Sequence, residues 1–228
     1  MHGSHKWETH LHTSEGSACA HSTGAEMARA HLAAGYEGII VTDHFFNGNC
    51  AVPGDLPWEE RVARFCAGYE HARIEGERIG LRVLFGLEFS FRGTDFLTYG
   101  IDRGFLLAHP GMDAWEPATF FSEIHRAGGF IAHAHPFRTA FYISEIRLYP
   151  EGVDAVEIEN ASHSDPDTDR QAHAFALRHK LLMTAGSDTH DDDRLFGGGM
   201  RFHHAIGSIG DFIAAVRNRQ WDIPGSGR

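Results

Sequence analysis

The chain has 228 residues, with 20 Lys and Arg against 31 Asp and Glu, a formal net charge of −11. That length suits a single α/β domain over residues 1–228, and 42% hydrophobic with 22% charged residues is a globular composition. The acidic balance argues against broad nucleic-acid or membrane-surface binding, which needs a basic face. No run approaches the roughly 18 apolar residues of a membrane span, and no apolar signal segment opens the chain. Three cysteines, Cys19, Cys50 and Cys66, carry no disulfide spacing. A cytoplasmic protein is expected, with no membrane partner and no stable nucleic-acid partner. The histidine count, 18, is high; neither core packing nor solubility calls for it, whereas metal binding and acid–base chemistry do.

Along the chain, short apolar runs alternate with helical stretches. Strands are predicted at Trp7–His10, Gly38–Thr42, Arg82–Leu87, Phe96–Ile101, Phe130–His133, Val153–Ile158 and Leu181–Ala185. Thr23-Gly-Ala-Glu26 is a capping box that opens a helix stopping at Gly35. Further helices are predicted from Trp58 to about Ile79, from Glu116-Pro117 to Gly128, from Asp165-Pro166 to His179, and from Ile209 to Asn218. The stretches 45–56, 137–151 and 191–204 read as long loops, a feature that compact domains tend to keep for function. Seven strands with intervening helices predict a closed (β/α) barrel; an open doubly wound sheet is the alternative.

Metal-competent side chains follow the strands. The first ends in His10-Leu-His12, the second in Asp43-His44, the third in Glu88, and the fourth begins after Asp95. The fifth ends in His133-Ala-His135, the sixth in Glu157-Ile-Glu159-Asn160, and the seventh in Ser187-Asp188-Thr189-His190. Barrels of this class carry their active sites at the C-terminal ends of strands. Residues i and i+2 of an extended chain face the same side, so His10 and His12 can reach one ion, as can Asp188 and His190. Imidazole with carboxylate suits Zn²⁺, Mn²⁺ or Fe²⁺, and so many donors imply two or three ions. Singly, each of these motifs also fits a cap, a turn or a core histidine; their recurrence at strand ends carries the reading. His31, His71, His125, His173 and His179 read as solvated helix faces, and Gly197–Gly199 as a flexible loop.

The ordered set THLHTS (9–14), VTDHF (41–45), GLEFS (86–90), AHPFR (134–138) and AGSDTH (185–190) resembles the PHP family, named for polymerase and histidinol phosphatase domains. The resemblance implies a distorted seven-stranded (β/α)7 TIM-like barrel around two or three divalent transition-metal ions. It assigns His10, His12, Glu88 and Asp188 to one ion, with Glu88 bridging to a second held by His135. Asp95 stands where many members have a histidine, and His44 with His190 would hold a third ion, helped by Glu15 or Cys19. The implied activity is hydrolysis of a phosphoester by a metal-bridging hydroxide, with Asp188 and His190 in the catalytic centre. A small phosphorylated metabolite is the expected substrate, as for a histidinol phosphatase. A phosphodiesterase or 3′–5′ exonuclease acting on short nucleotides is the runner-up, and a non-catalytic metal-binding domain a third reading. Arg138 is the best candidate to clamp the phosphate, ahead of Arg103 and Arg201. His163 is open between a substrate contact and a surface histidine. Phe45, Phe46, Phe137 and Phe141 could stack a base, but packing under the loops is favoured.

Overall fold

Segments that are apolar throughout form strands covered on both faces, and the segments between them supply helices as cover. The computed structural model describes residues 5–141 and 143–224. The strands are β1 (His5–Leu11), β2 (Gly38–Val41), β3 (Arg82–Phe91), β4 (Thr94–Tyr99), β5 (Phe130–Ala134), β6 (Ala155–Asn160), β7 (Leu182–Gly186), β8 (Met200–Phe202) and β9 (Trp221–Asp222). The helices are α1 (Gly24–Ala33), α2 (Trp58–Phe65), α3 (Ala67–Ile79), α4 (Arg103–Ala108), α5 (Pro117–Arg126), α6 (Pro166–His179) and α7 (Ile209–Arg217). The strands join one curled sheet in the order β7-β6-β5-β4-β3-β2-β1-β8-β9.

This sheet corrects the expected count of seven strands. Nine are present among the described residues, and β4 runs antiparallel to both β3 and β5. The reason lies in the turn between β3 and β4. Arg92 (φ 53) and Gly93 (φ 82) both take the left-handed conformation of a two-residue hairpin, so the chain doubles back and β4 runs against the barrel direction. The curl brings the ends of β1 and β7 together. Leu11 bridges Thr189 in parallel, the His12 N–H donates to the Thr189 carbonyl at 2.9 Å, and the Thr9 hydroxyl donates to the Ala185 carbonyl at 2.6 Å. Below that point β8 takes the edge of β1 at His5–Trp7, and β9 extends the sheet beyond it. The first lies in the stretch 191–204 read as loop, and the second follows the last predicted helix, where no strand was expected.

The predicted helix from Trp58 is interrupted at Cys66 and becomes α2 and α3. The start of α3 lies against α1 and the β1–α1 loop: a Cβ on Gly24 would sit 2.0 Å from the Gly68 carbonyl, and one on Gly68 1.9 Å from the Thr13 hydroxyl. Tyr99 is fully buried and donates its hydroxyl to the Thr9 carbonyl at 2.9 Å, tying β4 to β1 across the curl. Phe45, Phe65, Phe89, Phe96 and Phe120 fill the core beside it. His31 is a second correction. It is fully buried on α1, its Nδ1 2.8 Å from the Met27 carbonyl and its ring edge-on to Tyr36. The glycine run is packing as well: a Cβ on Gly199 would lie 2.1 Å from the Trp7 carbonyl, and the Gly198 carbonyl accepts from Tyr36.

Candidate metal centre

The strand ends deliver eight of the predicted ligands to one buried cluster. His10 and His12 follow each other on one side of β1, His44 follows β2, and Glu88 lies in β3. His135 follows β5, while Asp188 and His190 follow β7. Asp95 belongs to β4, and because that strand is antiparallel its beginning lies at the same rim as the other strands' ends. Four groups of donor atoms lie within 4.8 Å of one another: His12, His44 and His190; His10, His135 and Asp188; His10, His12 and Glu88; and Glu88, Asp95 and His135. Glu88 is the hub. Its oxygens stand 2.5 Å from His44 Nδ1, 3.4 Å from His10 Nε2, 3.3 Å from His135 Nε2 and 3.7 Å from His12 Nε2. Asp188 lies 3.1 Å from His12 Nε2, 3.5 Å from His10 Nε2 and 3.7 Å from His135 Nε2. His135 (φ 27) and Asp188 (φ 53) both hold left-handed backbone conformations that are costly without glycine, which the surrounding fold must enforce.

The donors fit a bound cation, and their outer bonds show why. Ser17 gives its one hydroxyl hydrogen to Asp43 at 2.8 Å, so His12 Nδ1, 3.0 Å from the same oxygen, must donate. His10 Nδ1 lies 2.9 Å from the Glu157 carboxylate, an acceptor only. Both Nε2 atoms therefore face inward, 3.2 Å apart. With both rings neutral their lone pairs oppose each other, and a proton on His10 or a bound cation between them relieves that. The Glu88 oxygens and His44 Nδ1 are also buried, within 2.5 Å of one another at the closest, and donors so crowded are stabilised by a cation.

The electrostatics agree. Burial would raise the Glu88 carboxyl, but His44 and then His10 hold it well below the usual carboxylate range. Burial, with His44 and His190 adjoining, keeps His12 neutral and so competent as a ligand. Burial disfavours a charge on His10, yet Glu157 and Asp188 outweigh it and raise the imidazole well above its ordinary value. Burial alone would raise the Cys19 thiol; hydrogen bonding to His190 and His44 brings it down to about 6.

Of the two residues expected to help the third ion, Cys19 stands beside His44 and His190, and Glu15 does not. The Glu15 carboxylate accepts from the Gly24 N–H at 3.1 Å and pairs with His71 at 2.8 Å, on the α1–α3 side. Arg138 is brought to the centre: its guanidinium lies 3.3 Å from Asp95 and 3.7 Å from Asp188. Arg103 opens α4, and Arg201 sits in β8 opposite Lys6 and Asp222, away from the cluster. A cleft of about 680 Å³ leads outward from His44, Asp95, Arg138, Asp188 and His190, past Cys19, to Asn47, Asn49 and Arg92. Sequence reasoning passed over Arg92 and Glu8, and named Asp43 and Glu157 only as metal-competent groups; all three carboxylates support the cluster from behind. Glu157 accepts from His10 with one oxygen and from the His135 N–H and Asn160 with the other. Asp43 accepts from the Thr13 N–H and hydroxyl and from Ser17, and burial pushes it up to about 6. Glu8 gathers the N–H groups of Thr9, His10 and Ser187 on one oxygen. Glu8, His10 and His12 share one side of β1 by alternation, a signal already present in the sequence.

No family model matches the chain, and no curated protein matches it by sequence. Solved structures do. A two-domain protein from Bacteroides vulgatus, described as containing a predicted PHP-like metal-dependent phosphoesterase, superposes with a TM-score of 0.70 at 16% identity, over 96% of this chain and 64% of its own. The fold is PHP-like. An amidohydrolase from Chromobacterium violaceum, solved with sulfate and no metal, matches with a TM-score of 0.57 at 16% identity, over 97% of this chain and 99% of its own. The lesion-specific endonuclease of Pyrococcus furiosus matches at 0.65 and 14% identity, over 96% of this chain and 57% of its own. The chain thus spans less than two thirds of the Bacteroides and Pyrococcus proteins, and its PHP-like fold agrees with the ordered motifs. Among the described residues no helix is long and apolar enough to cross a membrane.

Proposed function

We propose that this single PHP-like domain is a metal-dependent phosphoester hydrolase, most suited to a monoester of a small soluble metabolite. The observation that carries the reading is Glu88, a fully buried carboxylate with both oxygens among four imidazoles. His10, His12, Glu88 and Asp188 would hold one ion; Glu88, Asp95 and His135 a second; His44 and His190, beside Cys19, a third. Imidazole and carboxylate donors suit Mn²⁺, Zn²⁺ or Fe²⁺. Divalent ions there supply positive charge that acidifies water and neutralises phosphate oxygens. The chain's own residues do the rest. Arg138 reaches into the same cleft, where a planar guanidinium pairs with two oxygens of a phosphate. Glu157 and Ser17 fix the tautomers of His10 and His12. The acidic chain and its unpaired cysteines, Cys19, Cys50 and Cys66, suit a cytoplasmic metabolite enzyme.

The likeness to an endonuclease favours a second reading, a phosphodiesterase acting on nucleotides. Against it, Phe45 is wholly buried, Phe46 packs on Trp58 and Arg61, and Phe137 meets Phe175, so those rings are taken up in packing. The deciding experiment presents Mn²⁺-loaded protein with p-nitrophenyl phosphate and a nitrophenyl phosphodiester, with and without chelator. Turnover of the monoester, lost with chelator, is expected. Preference for the diester would favour the second reading, and no turnover with two or more metals bound would leave a binding domain.

A further inference from the structure

The curled sheet closes only at the rim that carries the metal cluster, where Leu11 bridges Thr189. Toward the other end β7 and β9 are the two edges of the sheet, each with one strand partner among the described residues, β6 and β8. A cleft of about 370 Å³ lies between them, walled by Met183 of β7, Trp221 of β9 and Leu177 of α6. Leu177 keeps 60% of its surface exposed there. Three basic side chains complete the lining: His173 and Lys180 on the same face of α6, and Arg219 just after α7. No lining residue is acidic, in a chain with 31 Asp and Glu against 20 Lys and Arg. The neighbouring carboxylates are turned elsewhere, Asp222 to His203 and Asp154 to His125, each at 3.0 Å. Neither Lys180 nor Arg219 forms an ion pair among the described residues. Both also hold left-handed backbone, at φ 58 and φ 53. Each ends its helix with the next N–H bonded back, Leu181 to Ala176 and Gln220 to Ala215, both at 2.9 Å. Glycine takes that position most cheaply. A helix dipole favours a cation anywhere in the last turn, so it does not explain two cations at strained positions on one cleft.

The geometry points to a binding site between β7 and β9 for a small organic anion with a flat apolar body, such as an aromatic carboxylate or sulfonate. The body lies against Trp221, Leu177 and Met183, and the anionic head meets Lys180 and Arg219, the latter through paired N–H donors. The volume falls within the roughly 300–1,000 Å³ of small-molecule sites. An inorganic ion would leave the apolar walls to water, and a neutral hydrocarbon would leave the cations unanswered; the two features together select the class. The site stands apart from the metal cluster, at the start of β7 where the cluster follows its end, and it does not rest on the hydrolase reading.

Naphthalene-2-sulfonate and its neutral counterpart naphthalene-2-sulfonamide are titrated into the protein by calorimetry, with Mn²⁺ and again with chelator. Wild type is compared with Lys180→Gly, Arg219→Gly, Lys180→Arg and Leu177→Glu, and each melting temperature is recorded. Glycine relieves the left-handed backbone, so both glycine variants should melt no lower than wild type, and weaker binding then reports the lost cation. Wild type should bind the sulfonate with and without metal, and the sulfonamide at least about tenfold more weakly. Each glycine variant should lose about tenfold or more for the sulfonate, the worth of one charge-assisted hydrogen bond. Lys180→Arg should stay close to wild type, and Leu177→Glu should repel the sulfonate without touching either backbone turn. Absence of binding, equal affinity for the two probes, or binding that disappears with chelator overturns the assignment. So does wild-type affinity in the glycine variants and in Leu177→Glu, which would seat the anion elsewhere on the protein.

Discussion

Acid should destabilise this protein through His31, a histidine remote from the metal centre. Burial lowers its pKa from 6.5 to about 4, against the bond to the Met27 carbonyl. The folded state therefore refuses a proton that the unfolded chain accepts. The sign follows: the neutral ring's contribution is intact above pH 6.5 and is lost as pH falls toward 4, where the folded state also takes up the proton. The whole shift corresponds to about 3 kcal/mol, of which about 2 kcal/mol is lost between pH 7.5 and 5. Carboxylates and metal-site histidines add their own acid dependence, so the comparison must be a difference. His31→Phe keeps a ring against Tyr36 and removes both nitrogens. Urea unfolding of the chelator-treated proteins at pH 7.5 and 5 should show wild type losing about 2 kcal/mol more than His31→Phe, a gap of about 4–8 °C in Tm for a chain of this size. Parallel losses in the two proteins would mean that His31 is not held neutral by burial, and the reasoning fails.

His10→Ala or Asp188→Ala should abolish both bound metal and hydrolysis while circular dichroism stays native; activity retained without either side chain would sink the ligand assignment. Glu157→Gln should weaken metal binding about 10–100-fold in a chelator competition, since the carboxylate that orients two ligands is gone; unaltered affinity would reduce it to packing. Arg138→Ala should chiefly raise KM if the clamp holds substrate and transition state alike, and unchanged kinetics would remove it from the site. At the first position of a helix alanine ordinarily stabilises, but Gly24→Ala should cost about 1–3 kcal/mol in denaturant unfolding because its Cβ meets the Gly68 carbonyl. A stabilised variant would show that α1 and α3 can part at no cost.

The candidate ligands were legible because an extended chain repeats every second residue: His10 and His12, or Asp188 and His190, declare a common side before any fold is known. Strand direction was not legible. Asp95 looked out of place at the start of a strand, and only the hairpin at Arg92-Gly93 explains it. Choosing between Glu157 and Glu159 needed the register irregularity in β6, which buries the first and leaves the second half-exposed. Glu15 and Cys19 are both within reach of the centre by chain length, and the choice fell to α3, whose His71 captures Glu15. His31 was misread because α1 buries it against Tyr36, a residue just past the helix end. β8 and β9 are too short for any period to show, and exist because β1 leaves an edge open below its contact with β7.

The β3–β4 hairpin makes the proposed second ion's ligand set depend on how many residues turn a corner. Ser90 pairs with Asp95 and Glu88 with Leu97 across a two-residue turn. One residue inserted between Phe91 and Thr94 would slide the strand by a step and reverse its faces, sending Phe96 toward the rim and Asp95 toward the phenylalanines. If Asp95 ligates as proposed, the second site is encoded partly as a length: insertions that shift the register would empty it while every ligand codon stayed the same.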